Sequence, residues 1–88
     1  MTGQSRMDKW LWHARFFRTR ALAQRAAASG LVRLNGRPVD KPGHWVRLGD
    51  VVTVPTAREA MVVRIVAIAE RRGRPQDAQR LYEIVAEP

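Results

Sequence analysis

The spacing of apolar residues in the first third of the chain predicts two consecutive amphipathic helices. In the first, from about residue 7 to residue 16, apolar side chains recur every three or four positions and share one face: Met7, Trp10, Leu11 and Ala14. Lys9, Trp12 and His13 fall on the opposite, polar face. Ser5 and Asp8 have the spacing of a capping box, which marks the start of this helix.

Thr19 and Gly30 bound the second predicted helix. Thr19 is a favoured N-cap, because its hydroxyl can accept from an unpaired backbone N–H, and Gly30 suits the left-handed position after a helix end. Arg20 and Gln24 lie one turn apart on the outward face, whereas the inward positions are Leu22, Ala23 and Ala26. Since the link between the two helices is short, we expect them to pack against each other at an angle.

Beyond the second helix the apolar pattern alternates, which is typical of strands. A hairpin is predicted around Asn35 and Gly36, a favoured tight-turn pair. Val32 and Leu34 then point to one face, and Arg33 points with Asn35 to the other.

Further strands are predicted over residues 51–54 and 61–69, and two structures fit the last segment. Pro75 suits the first position of a short helix through Tyr82, but the segment also fits an edge strand; we predict the helix. The whole pattern predicts an α+β fold. Two N-terminal helices pack on a small, bent, mostly antiparallel sheet, and a short C-terminal helix follows.

Positive charge is concentrated in the first half of the chain. The segment from Arg6 to Lys41 holds nine basic residues and two acidic ones, which accounts for nearly all of the formal net charge of +8. Most of the basic residues are arginines, whose planar fork suits phosphate groups. Such a block on an otherwise ordinary domain indicates a polyanionic partner, most often nucleic acid.

Length and composition set the domain organisation. The chain has 88 residues, enough for one domain, and an apolar fraction of 45% that is normal for a globular protein. We expect a flexible N-terminal tail over residues 1–5, the folded domain over 6–70, and a basic loop with a C-terminal appendage over 71–88. The chain has no cysteine and no apolar run long enough for a signal peptide or a membrane span. We therefore expect a cytoplasmic monomer that does not bind membranes.

The start of the second predicted helix is the leading candidate for a phosphate site. Arg18, Thr19 and Arg20 stand where unpaired amides and the helix dipole attract anions, and the two guanidinium groups can fork onto phosphate. The alternative is a solvated basic turn in which Thr19 only caps the helix. The other candidates on the two helices are Lys9, Arg15, Gln24 and Arg25. For Arg25, which lies near the inward arc, a structural ion pair is a nearly equal alternative.

The predicted hairpin and the residues after it extend this candidate surface. Arg33 and Asn35 lie on its polar face, and Lys41 follows after the second strand. Turn chemistry alone explains Asn35 adequately, and Lys41 can equally serve to solubilise the sheet edge.

The tryptophans divide between two predicted roles. Trp12, which stands among cations, can stack on an unpaired base or pack beneath the C-terminal segment against Leu81 or Tyr82. We favour packing, because a small domain rarely leaves an indole exposed. Trp10 and Trp45 are predicted to pack in the core or on the sheet.

No set of residues in the sequence has the spacing of a catalytic or metal site. His13 and His44 lack a third ligand at a suitable spacing, and the eight acidic residues are scattered. A Gly-rich nucleotide loop is also missing from the sequence. We therefore expect no catalysis, no metal and no cofactor.

The order of these short motifs resembles the S4-type RNA-binding domain. The matching residues are Arg6 to Leu11, Arg15, Arg18 to Arg20, Ala23-Gln24, Gly30, Val32 to Gly36, Val46, and Gly49-Asp50 before a strand. Within that superfamily, resemblance to the ribosome-associated heat-shock protein 15 family rests on Asp8 to Trp12, Ala14 to Phe16, Arg71-Arg72, Arg74-Pro75 and Leu81 to Glu83.

This resemblance implies non-catalytic binding of structured RNA, either ribosomal RNA or tRNA, and makes Arg6 a phosphate contact. It also implies a role on the large ribosomal subunit carrying nascent peptidyl-tRNA, in ribosome rescue or quality control under heat stress. Similar domains are attached to RNA-modifying enzymes, so a targeting module of such an enzyme is one alternative. A DNA-binding helix-turn-helix protein is another, although the alanine-rich second helix offers little for reading base edges.

Overall fold

The computed structural model describes residues 3–86, which form an α+β domain. The elements in chain order are β1 (Gln4–Arg6), α1 (Met7–His13), α2 (Arg20–Ala28), β2 (Arg33–Leu34), β3 (Arg37–Pro38), β4 (Trp45–Arg47), β5 (Val51–Val54), β6 (Met61–Ile65), α3 (Pro75–Ala78), a 3-10 turn (Gln79–Leu81) and β7 (Tyr82–Ala86). The predicted fold class is confirmed: two N-terminal helices pack on antiparallel sheet, and a short helix lies near the C-terminus. No helix within the described range is long and apolar enough to cross a membrane.

The strands form two antiparallel sheets. Five of them make the larger sheet in the order β3-β2-β5-β6-β7, and β1 pairs with β4 in a separate ribbon. Alternate residues of the central strands face the helices, so Val52, Val54, Val63 and Ile65 are buried. Burial of each such side chain contributes about 2 kcal/mol.

Helix α1 closes the core from the other side. Its apolar face is buried as the sequence predicts, with Met7, Trp10 and Leu11 almost fully inaccessible to solvent. The indole Nε1 of Trp10 donates a hydrogen bond to the carbonyl oxygen of Ala67 at 3.1 Å. This bond satisfies the polar atom of the largest core side chain and ties α1 to the segment after β6.

Helix α1 ends at His13, three residues earlier than predicted, because Arg15 adopts a left-handed backbone conformation with φ of 62°. The N–H of Phe16 bonds to the carbonyl of Leu11, and the N–H of Arg15 bonds to that of Trp12. This pattern is a Schellman motif, in which glycine usually takes the left-handed position. Because the sequence has no glycine at this position, it did not indicate where the helix ends.

Helix α2 begins and ends as predicted. The hydroxyl of Thr19 accepts from the N–H of Leu22 at 3.1 Å, and Gly30 has φ of 84° just beyond the C-cap. Ala23 and Ala27 are fully buried, and such small side chains allow close approach to α1. The prediction that Leu22 faces inward is wrong, because its side chain is 40% exposed.

The hairpin between β2 and β3 confirms the predicted turn. Asn35 and Gly36 both have positive φ, which a two-residue type I′ turn requires. The Asn35 side chain also accepts from the N–H of Val51 at 2.9 Å and donates to the Asp50 carboxylate at 3.2 Å. The turn residue thereby fastens the hairpin to the start of β5.

The predicted strand from 61 to 69 is shorter in the structure. It leaves the sheet after Ile65, because the N–H groups of Val66 and Ala67 both bond to the carbonyl of Leu81. The carbonyl of Ala67 in turn accepts the hydrogen bond from the indole of Trp10. Side-chain pattern alone cannot show such a change of backbone partners.

The C-terminal segment contains both of the structures considered from the sequence, first a short helix and then an edge strand. A helix begins at Pro75 as predicted, and after Leu81 the chain continues as β7 at the edge of the larger sheet. At the other end, Gln4 and Ser5 of the expected flexible tail lie in β1. The division at residues 5 and 70 stays a prediction, and residues 1–2 and 87–88 of its outer segments lie outside the described residues.

Candidate nucleic-acid interface

A partly buried ion pair between Arg6 and Asp8 lies at the start of α1. Asp8 is fully buried, and its carboxylate accepts from the Nε and Nη2 atoms of Arg6, both at 3.1 Å. The same carboxylate accepts from the backbone N–H of Lys9 at 2.8 Å. The predicted capping box with Ser5 is therefore wrong: the hydroxyl of Ser5 donates instead to the carbonyl of Arg6.

Three predicted contact residues meet in one cleft, which we call the basic cleft. It measures about 290 Å³ and is lined by Gln4, Ser5, Arg6, Lys9, Arg20, Trp45, Ile68, Ala69 and Glu70. These residues come from β1, the starts of both helices, β4 and the segment after β6. The lining carries three cations and one carboxylate, that of Glu70. Because Arg6 is paired with Asp8, Lys9 and Arg20 are the cations left for an anion.

Arg20 has the most informative environment in the basic cleft. Its Nε atom is buried and has no hydrogen-bond partner anywhere in residues 3–86. Buried polar atoms are nearly always hydrogen-bonded, so each exception needs an explanation, and a bound ion or ligand is one of them. The residue is also the first of α2, where backbone amides and the helix dipole favour negative charge.

His13 is buried in α1, where the charges of several cations act on it. The prediction that it occupies a polar face is wrong: it is 3% exposed, because the segment around Ala69 covers that side of α1. Burial lowers the pKa of the imidazole below 6.5, and the charges of Lys9, Arg20 and Arg72 lower it further, while the Ala69 backbone acts in the opposite direction. Several cations therefore converge on this end of α1.

Arg15 and Arg72 join the interhelix link to the C-terminal segment. Arg15 donates from Nε and Nη2 to the carbonyl of Gly73 at 3.2 and 2.8 Å. Arg72 donates in return to the carbonyls of Trp12 and Phe17, at 3.1 and 3.4 Å. Arg15 thus makes a structural bond, and its predicted contact with RNA stays a prediction. Nothing in the local sequence around Arg72 indicates its partners.

Trp12 packs beneath the C-terminal segment, as favoured from the sequence. Its cover differs from the expected Leu81 or Tyr82: the Arg72 guanidinium lies 5.2 Å from the centre of the indole ring. A cation over an aromatic face at this distance is attractive. The half-buried indole is therefore part of the fold.

Trp45 is placed differently from its prediction as a core or sheet-packing residue. It lies in β4 opposite Arg6 and is 56% exposed, with its side chain at the basic cleft. This position could not be predicted from the sequence analysis, because neither β1 nor β4 was predicted.

The remaining candidates are spread over other surfaces. Arg18 is exposed in the interhelix link, and Thr19 caps α2, as the alternative from the sequence allows. Gln24 and Arg25 are exposed on α2, and the described residues give Arg25 no ion pair. The hairpin candidates are likewise exposed and do not line the basic cleft: Arg33, Asn35 and Lys41.

The described residues offer no obvious place for a metal. Across residues 3–86, no three His, Asp or Glu side chains lie close enough together to hold an ion. The basic cleft offers a ligand guanidinium, ammonium, amide, hydroxyl and indole groups and one carboxylate.

Comparison with known proteins places this architecture in a family. Residues 5–52 match the S4 domain. Heat shock protein 15 of Escherichia coli K12 is 42% identical over 82 residues, which cover 93% of this chain and 61% of that protein. Small ribosomal subunit protein uS4 of Azorhizobium caulinodans is 36% identical over 70 residues, covering 77% of this chain and 34% of that protein.

A solved structure agrees with the sequence comparison. The trimeric structure of Vibrio cholerae Heat Shock Protein 15 superposes with a TM-score of 0.88 at 36% identity, covering 94% of this chain and 83% of that one. The chain spans about three fifths of the length of the heat shock protein 15 relatives it matches first. The chain belongs to the S4 domain family and, within it, to the heat shock protein 15 group.

Proposed function

We propose that this protein binds structured RNA, without catalysis, through the basic cleft and the exposed cations around it. The observation that carries the proposal is the buried Nε atom of Arg20, a donor without an acceptor in residues 3–86, in a cleft it shares with Lys9 and Arg6. A phosphate oxygen supplies the missing acceptor, and the neighbouring charges compensate the phosphate charge.

The wider charge distribution supports a polymeric anion over a single phosphate. Further exposed cations lie outside the cleft, on the interhelix link, α2 and the hairpin: Arg18, Arg25 and Arg33. A rigid surface of this kind reads the shape and backbone of an A-form helix and makes few contacts with base edges. DNA binding by α2 has less support, because its exposed positions Ala21, Gln24 and Ala28 provide few groups for reading bases.

The identity of the RNA rests on the relatives. Similarity to uS4 and to heat shock protein 15 supports a ribosomal partner. We propose that this partner is ribosomal RNA of the large subunit carrying peptidyl-tRNA, in ribosome rescue or quality control under heat stress in the cytoplasm. A monomer remains the prediction for this chain, although the Vibrio cholerae relative was solved as a trimer.

The RNA-binding proposal is tested by removing two cleft charges together. We expect the K9Q/R20Q double variant to bind a structured RNA at least about tenfold more weakly than the wild type, because each lost charge-assisted contact costs about 1.5 kcal/mol or more. Arg58→Gln is the matched control, since Arg58 is exposed in the loop between β5 and β6. Fluorescence anisotropy with labelled RNA hairpins gives the affinities, with duplex DNA as competitor. Equal affinities for the double variant and the control would contradict the cleft as the site, and stronger competition by DNA would contradict RNA as the ligand.

The ribosomal part of the proposal needs a separate measurement. In sucrose gradients at low salt, we expect the protein to sediment with large subunits and to do so more completely when they retain peptidyl-tRNA. Sedimentation with neither form of the subunit would refute the ribosomal partner and leave RNA binding to the anisotropy experiment.

A further inference from the structure

The strand ribbon β1–β4 displays an indole on its outer face, next to the basic cleft. In β4 the burial alternates, with Val46 fully buried between the exposed Trp45 and Arg47. The pairing places Trp45 opposite Arg6, and directly opposite residues in an antiparallel pair have Cβ atoms about 5 Å apart. The indole therefore lies beside a cation that lines the cleft.

The fold itself does not account for this indole. Trp10 is 1% exposed and bonded to Ala67, and Trp12 is half-buried beneath Arg72, but Trp45 is 56% exposed. Within the described residues no other aromatic ring pairs with it. Indoles are highly buried on average, so an indole more than half exposed at a charged cleft indicates a binding role.

The residues around Trp45 indicate which kind of ligand it would bind. Lys9 and Arg20 line the same cleft, and Gln4 and Arg47 face each other across the ribbon on the same outer side as the indole. Apolar Ile68 and Ala69 and the carboxylate of Glu70 also line the cleft, but its cations outnumber its carboxylates by three to one, which favours an anionic ligand over an apolar protein surface. Cations that hold a phosphate next to an aromatic face that holds a base are the combination found in sites for unpaired nucleotides.

We propose that Trp45 stacks on the base of an unpaired RNA nucleotide whose phosphate lies in the basic cleft. The inference rests on the proposed function, because it uses the same phosphate site, and it makes the ligand more specific. The preferred RNA is then an A-form helix interrupted by a bulge, loop or frayed end, since the bases of a continuous duplex are stacked on one another and cannot reach the indole.

The test compares RNAs that differ by one nucleotide. The probes are a fully paired hairpin stem, the same stem with a single-nucleotide bulge, and that bulged stem with an abasic residue at the bulge, all at low salt. We expect Trp45→Ala to weaken binding to the bulged stem about tenfold, the effect of one lost base–aromatic stack, and to leave the paired and abasic stems unchanged. Trp45→Phe should retain most of the affinity, because phenylalanine keeps a stacking face.

Controls distinguish a failure of base stacking by Trp45 from a failure of RNA binding at the basic cleft. Leu31 is 65% exposed and does not line the cleft, so Leu31→Ala should change the affinity for none of the three stems. If Trp45→Ala has no effect on the bulged stem, or weakens all three stems equally, the stacking inference is overturned. If K9Q/R20Q weakens all three stems in the same experiment, RNA binding at the cleft still stands. If K9Q/R20Q weakens none of them, the proposed function itself fails.

Discussion

The arginines of this protein differ in what their guanidinium groups contact. Arg6, Arg15 and Arg72 bond to Asp8, Gly73 and the interhelix link within the chain, whereas Arg20 has a buried donor without a partner in residues 3–86. The first kind holds the fold together, and in the function proposed above the second binds a phosphate. Substitutions of the two kinds should therefore affect different properties, stability in one case and affinity in the other.

Arg6→Gln tests the structural kind. We expect the variant to lose about 2 kcal/mol of unfolding free energy, because it leaves the buried Asp8 carboxylate with fewer donors. The loss is smaller than that typical of a fully buried ion pair, because Arg6 is half-exposed. Urea unfolding measures the change. Arg64→Gln is the control, since its ion pair with Glu83 is exposed on both sides and should be worth less than about 1 kcal/mol. Equal losses in the two variants would argue against a structural role for the Arg6–Asp8 pair.

His13 predicts a pH dependence of stability. Its pKa is lowered in the folded protein by burial and by Lys9, Arg20 and Arg72, so the unfolded chain takes up a proton first as pH falls through 6.5. Above pH 6.5, His13 therefore costs the folded protein no stability. The free energy of unfolding decreases as pH falls from 6.5 to the lower pKa of the folded state, and below that pKa this group causes no further decrease. We expect thermal unfolding between pH 7.5 and pH 5 to show this decrease in the wild type and a weaker one in His13→Gln. Parallel curves would mean that His13 titrates normally.

Elements with strong local signals were predictable from the sequence, and elements that depend on distant partners were not. Thr19, Gly30 and the Asn35-Gly36 pair correctly located α2 and the hairpin, because capping and turn chemistry act within a few residues. The β1–β4 ribbon was missed because each strand has three residues and exists only through pairing with a segment about forty positions away.

The end of α1 gives the sharpest prediction for a single element. Arg15 occupies a left-handed position that costs a side-chain-bearing residue about 1 kcal/mol relative to glycine. Arg15→Gly and Arg15→Ala both lose the bonds to Gly73, so the difference between them isolates the backbone. We expect the glycine variant to be the more stable by about 1 kcal/mol in urea unfolding, the reverse of the usual order near a helix. An alanine variant of equal or greater stability would contradict the Schellman assignment.

At the scale of the whole molecule, the candidate site is an assembly of distant segments. The sequence correctly indicated an anionic partner and several of the cations, because charge can be counted without a fold. It could not show that Arg6, Lys9 and Arg20 share a cleft with Trp45 and with residues 68–70, since only the tertiary fold brings these segments together. In the same fold Arg15 and Asn35 make structural bonds, and Trp12 packs beneath the C-terminal segment, as the sequence favoured.

The salt dependence of RNA binding is the most direct test of phosphate contacts in the basic cleft. Each phosphate contact adds about 0.7 to 0.9 to the slope of log K against log salt concentration. With one structured RNA, we predict that K9Q/R20Q has a slope shallower than that of the wild type by about 1.4 to 1.8, and that Arg58→Gln keeps the wild-type slope. A double variant whose slope equals that of the wild type would contradict the central claim that these two side chains hold RNA phosphates.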